Sequence, residues 1–177
     1  MALLLAGCHA SPQATAANAS AQVQANNEGY SLLYDLLAKQ QDVGKSLWLR
    51  KVEPDLASLI KEIAEASSQG RKQLEAYARR DPTLQLGLQT LPEVERQTRD
   101  AIEATETTSL LGSHGAVFQL RLLLTQANSM QYASHLAKVL SARETQESRK
   151  AYLRDLAKQL DNLNMKVIDL LAVKAPR

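Results

Sequence analysis

The residue with the clearest chemistry is Cys8, the one cysteine of the chain, which directly follows Leu5-Ala6-Gly7. An apolar residue three places before a cysteine and small residues just before it form a lipobox, because the peptidase and acyl transferase need an extended, uncluttered backbone beside the thiol. The thiol would then carry a diacylglycerol, and the mature chain would begin at Cys8. One cysteine makes no internal disulfide, so the thiol is left for another use. A secretory signal also needs a basic n-region and an apolar h-region of about 7 to 15 residues. Only Met1 to Gly7 precede the cysteine, without Lys or Arg. The expectation is that a start codon placed too far downstream has clipped the signal. The alternative is a free thiol in a cytosolic protein with a chance Leu-Ala-Gly-Cys.

A second set of residues could form a binding site. Arg121, Asn128, Gln131 and His135 fall at steps of seven, three and four, a polar stripe along one helical face. Gln40 and Gln126 could face the same region. The functional reading is a polar pocket for a small ligand, or for a single metal through His135, with Gln40, Asn128, Gln131 and His135 as its candidate residues. The competing reading is an exposed or boundary face whose polar groups bond to water.

Other chemistries lack their residues. The chain has no Cys-x-x-Cys pair, no Gly-rich phosphate loop and no Gly-x-Ser-x-Gly elbow. No nucleophile can be named, and the expectation is a non-enzymatic protein without a cofactor. The 21 basic and 19 acidic residues nearly cancel to a net +2 and are interleaved. That leaves no basic stripe for nucleic acid. No run after the anchor approaches the roughly 18 apolar residues of a membrane span, which makes the lipid the expected attachment.

Around these residues the chain divides into three parts: 1–8 with the clipped signal and lipobox, 9–27 as a tether, and 28–177 as a helical domain. Residues 9–27 are Ala, Ser, Gln, Asn and Thr with one His and one Pro, no Asp, Glu, Lys or Arg, and Val23 as the sole large apolar side chain. Such a segment buries too little apolar surface to offset its ordering entropy, which predicts a disordered tether spanning about 25 Å. The residue after the cysteine is His9 rather than Asp. By the sorting preference of enteric lipoproteins, that permits transfer to an outer membrane.

The remaining 150 or so residues suit one domain. Apolar residues make up 45% of the chain but aromatics only 4%, a Leu and Ala composition that favours packed helices over a β-sandwich. Leu33, Leu36, Val43 and Leu47 mark a helix from Tyr30 to about Lys51, with Gln40 in the missing core position. Pro54 fits the first turn of a second helix on the seam Leu56, Leu59, Ile63, Ala66, Gly70, Gln73 and Tyr77, widened by Ile60 and Leu74. Asp81-Pro82 ends it. Pro92 opens a shorter helix to about Leu111, and Gly112 to Gly115 breaks the chain again. A long helix follows from about Ala116 to Ser141, and a last one from about Thr145 to Val173. In the last, Leu153, Leu156, Leu160, Leu163, Val167 and Leu170 alternate steps of three and four, while Arg149, Lys150, Arg154, Asp155, Lys158 and Asp161 form the expected solvated face. Gly70 on a core seam predicts a close helix approach, with a kink near a pocket as the alternative. Trp48 either caps the end of the bundle or marks a partner surface.

Two antiparallel helices, a long crossover with a short helix of its own, and two more antiparallel helices predict an all-α four-helix bundle. Over about residues 28–173 this organisation resembles the ferritin-like fold. Ser31-Leu32-Leu33-Tyr34-Asp35-Leu36-Leu37 and Leu122-Leu123-Leu124-Thr125-Gln126 are also similar to uncharacterised bacterial ferritin-like proteins. The resemblance does not extend to the di-iron centre of that fold. That centre takes a Glu from each of two helices and a Glu-x-x-His from each of the others, whereas Glu62 and Glu65 are followed three residues on by Glu65 and Ser68, and residues 116–141 hold no carboxylate. The reading is a non-enzymatic lipoprotein of the bacterial envelope, facing the periplasm, with the outer membrane slightly favoured. It would act through an unidentified protein partner or through copies of itself. The rival reading is a ferritin-like binder of a metal or small ligand at a non-standard site.

Overall fold

The computed structural model of the chain describes residues 12–46, 52–89 and 91–174. Cys8 with its lipobox, His9 and Trp48 lie outside the described residues. Within them the protein is all-helical, with five helices and no strand: α1 Pro12–Ser46, α2 Pro54–Arg80, α3 Glu93–Gly112, α4 Gly115–Arg143 and α5 Glu147–Lys174.

Helix ends follow local chemistry. Pro54 opens α2 where its missing N–H costs nothing, and Asp55 Oδ1 accepts the Leu56 N–H at 2.7 Å beside the positive helix end. Gly115, with φ +56, makes the break before α4 that a residue with a Cβ would resist. The Gln146 side-chain Oε1 caps α5 by accepting the Arg149 N–H at 2.6 Å.

Cross-contacts fix how the long helices run. Tyr34 of α1 donates to Glu75 of α2 at 2.9 Å, Leu37 lies against Gly70, and Gly44 faces Ala64, so the residue numbers fall along α2 as they rise along α1. Ser141 of α4 donates to the Lys150 carbonyl of α5 at 3.3 Å, and Ser134 reaches Asp161. Tyr152 of α5 donates to the Gly70 carbonyl at 3.1 Å, while Lys166 reaches Glu62 at 2.5 Å. Gly29 of α1 abuts Leu140 of α4, and Gln40 shares a cleft with Gln126. Each of these pairs is antiparallel, and the contacts close a ring in the order α1, α2, α5, α4. Inside it lie Leu33, Leu37, Ile60, Ile63, Leu74, Leu123, Met130, Leu153 and Leu160, all fully buried. Gly70 is the close approach its seam position predicts, because a Cβ there would stand 3.1 Å from Leu37 Cδ1 and 3.4 Å from Leu156 Cδ1.

Two sequence expectations differ from the structure. Residues 12–27, read as a disordered tether, continue α1 without a break, and the bundle already begins at buried Asn27. Ala and Gln are strong helix formers; they extend the helix even though Ser20 to Gln24 stay exposed. Asn27 and Ser31 then tie down the start of the crossover. Asn27 donates to the Thr83 carbonyl at 2.9 Å and accepts the Gln85 N–H at 3.2 Å, and Ser31 Oγ accepts the Leu88 N–H at 3.1 Å. The second difference is Arg149, which leaves the solvated face of α5 for a buried ionic cluster.

Candidate functional site

The crossover helix α3 supplies the geometry of interest. None of its twenty residues is buried. It lies on α4 and leaves a cleft of about 410 Å³ walled by α1, α3 and α4. Leu36 and Val43 of α1, Ile102 and Leu110 of α3, and Phe118 and Leu122 of α4 make its apolar lining. Gln40 and Gln126 are the buried polar residues beneath them. Gln40 continues the α1 core series Tyr30, Leu33, Leu37 and is 5% exposed; Gln126 sits between Leu123 and Met130 of α4 and is 1% exposed. The Oε1 atom of each has no hydrogen-bond partner.

Charges close the rim. Lys39 pairs with Glu103 across the α1–α3 gap, and Arg99 Nε donates to Glu95 at 2.7 Å while its guanidinium lies 5.5 Å from the Tyr132 ring centre. Beyond Leu36, Lys39 and Arg99 a second, more open cavity of about 550 Å³ continues between α1, the residues Leu88, Gln89 and Leu91, and α3.

The structure separates the residues that the sequence grouped. Asn128, Gln131 and His135 are exposed, as is Arg121, and none of them lines the cleft with Gln40. The stripe follows helical spacing, but the face it occupies points away from the bundle interior, which is the boundary-face reading. The inward partner of Gln40 is Gln126. Among the described residues no group of three or more His, Cys, Asp or Glu stands close enough to hold a metal ion. No described helix is long and apolar enough to cross a membrane.

A second polar constellation lies where the end of α2 meets the α4–α5 turn. Glu144, its side chain 4% exposed, receives Arg149 Nε at 3.0 Å and Nη2 at 3.2 Å, the N–H groups of Thr145 and Gln146 at 2.9 and 2.8 Å, and the Tyr30 phenol. Arg149 also bonds Asp81. Burial lifts the Glu144 carboxyl, and the Arg149 and Tyr30 hydrogen bonds overcome that lift and hold it below its ordinary value. Burial, then Glu144, pushes the Tyr30 phenol far up. The Thr83 hydroxyl, then Arg149, hold Asp81 down at about 2. Five donors fill the acceptor capacity of one carboxylate, so this cluster is a clamp and offers no free base. Sequence reading missed it because its members come from Tyr30, Asp81, Glu144 and the first turn of α5, and hydropathy and helical period do not link them.

The chain matches no protein-family model, and no curated protein or solved structure shows significant similarity to it.

Proposed function

We propose that the chain is a non-enzymatic, lipid-anchored protein of the bacterial envelope, with a ferritin-like four-helix bundle that works by binding. The observation that carries the anchoring is Leu5-Ala6-Gly7-Cys8. The closed ring of antiparallel helix pairs, with α3 in the connection between α2 and α4, supports the ferritin-like wiring. His9 after the cysteine favours the outer membrane, with the bundle facing the periplasm. Exposed Val117, Leu124 and Val139 on α4 and Met165 and Ile168 on α5 supply apolar area for a protein partner or a second copy. Expressed with a complete secretory signal, the protein should fractionate with membranes and have the mass of a chain beginning at an acylated Cys8. Cys8→Ala should move it to the soluble fraction. Unchanged fractionation of that variant overturns the anchor.

A second reading, small-ligand binding within the bundle, is favoured by a specific observation. Two buried amide oxygens without partners, Gln40 Oε1 and Gln126 Oε1, belong to residues that line one cleft.

A further inference from the structure

We propose that the cleft between α1, α3 and α4 takes an uncharged amphiphile, its chain against the apolar lining and its hydroxyl or amide N–H groups donating to Gln40 and Gln126. The inference rests on the small-ligand reading and names the ligand class.

Nearly all buried polar groups in folded proteins are hydrogen-bonded, and each one left alone costs about 1 to 3 kcal/mol. Two such oxygens belong to residues 5% and 1% exposed that line one cleft; both are closed off from solvent, so a ligand removes their cost as the amides turn toward it. Both atoms are acceptors, so the complementary group is a donor. A volume of about 410 Å³ lies within the usual range for small-molecule sites, which are mostly apolar with a few convergent polar groups.

Charge selects against an anion. Lys39 is held by Glu103 and Arg99 by Glu95, so among the described residues the lining presents no free cation to a carboxylate or phosphate, while Glu106 adds a negative charge. A carboxylate would also face two carbonyl oxygens. Entry is through α3, the wall with no buried residue of its own.

Three probes with one chain separate these terms: glycerol monodecanoate supplies donors, methyl decanoate is neutral without donors, and decanoate is charged without donors. Calorimetric titration of the full chain, with each probe below its micelle concentration, should give binding in the order glycerol monodecanoate, methyl decanoate, decanoate. Gln40→Leu and Gln126→Leu should each weaken glycerol monodecanoate by roughly tenfold, the worth of one well-made hydrogen bond, and leave methyl decanoate unchanged or tighter. A merely structural glutamine would not produce that split. Ile102→Glu, at a position 53% exposed and so tolerant of charge, should abolish binding of all three probes. Equal affinity for the glycerol and methyl esters, with no effect of either Gln→Leu change, overturns the donor assignment while the ligand-binding reading stands. Failure of every probe to bind the unaltered protein overturns both.

Discussion

Arg149→Leu tests whether the Tyr30–Glu144–Arg149–Asp81 cluster holds the end of the bundle together. The substitution keeps an aliphatic stem but removes both guanidinium bonds to Glu144, whose side chain is 4% exposed, and the bond to Asp81. Removing one partner of a buried ion pair costs about 3 to 5 kcal/mol, because the other charge is left desolvated. Glu144 keeps the Tyr30 hydroxyl and two backbone N–H donors, which places the cost at the lower end, about 3 kcal/mol. For a domain of this size that lowers the thermal midpoint by roughly 6 to 12 °C. Glu144→Gln supplies the control, since a neutral amide oxygen still accepts the Thr145 and Gln146 N–H groups without burying a charge. Helical circular dichroism followed through urea and thermal unfolding should show the double variant Glu144→Gln with Arg149→Leu recovering about 2 kcal/mol relative to the sum of the single losses. A loss below about 1 kcal/mol for Arg149→Leu, or strict additivity in the double variant, refutes the clamp.

The same groups set an acid limit. A carboxyl whose folded pKa lies below its unfolded value contributes stability above the unfolded value and loses it as pH falls through the folded one. Asp81 at about 2 against an ordinary 3.8, and Glu144 below its ordinary 4.5, place the loss below about pH 4.5, continuing towards pH 2. The urea midpoint should be level above that window, fall within it, and fall less steeply in Arg149→Leu. Two helix glycines should respond with opposite sign. At Gly44 a new Cβ meets Ala64 Cβ at an ordinary 3.9 Å, so Gly44→Ala should stabilise by up to about 1 kcal/mol through helix propensity. At Gly70 the same Cβ already crowds Leu37 at 3.1 Å, so the branched Gly70→Val should destabilise by about 1 to 3 kcal/mol. Equilibrium unfolding of both variants checks the pair, and a stabilised Gly70→Val would contradict the close approach.

Much of the core was legible because apolar residues repeat where helices must meet. In α5, Leu153, Leu156, Leu160, Leu163 and Val167 are buried as their alternating steps predict, and α2 buries Leu56, Leu59, Ile63, Ala66 and Gly70 from its heptad series, with Ile60 and Leu74 beside them. Residues 12–27 were misread for the opposite reason. They carry no apolar stripe, and the argument from burial left out the helix propensity of Ala and Gln. Asn27 docks through its side-chain amide, which hydropathy does not register.

The polar residues divide by what surrounds them in the sequence. Gln40 was readable as a core position because it interrupts an apolar series, and the structure buries it. Asn128, Gln131 and His135 formed a periodic series of their own, and period alone does not say whether that series faces inward. Arg149 stands among charged neighbours and reads as solvent-facing, yet its partners Asp81 and Glu144 lie 68 and five residues away, and Tyr30 is 114 from Glu144. A polar residue alone among apolar ones must be satisfied, or left wanting, by whatever the fold places opposite. For Gln40 the fold places Gln126 and a cleft under a helix that buries none of its own residues. Two acceptors without partners and a wall that buries none of its own residues are what the proposed donor-bearing ligand calls for, and both belong to this one cleft.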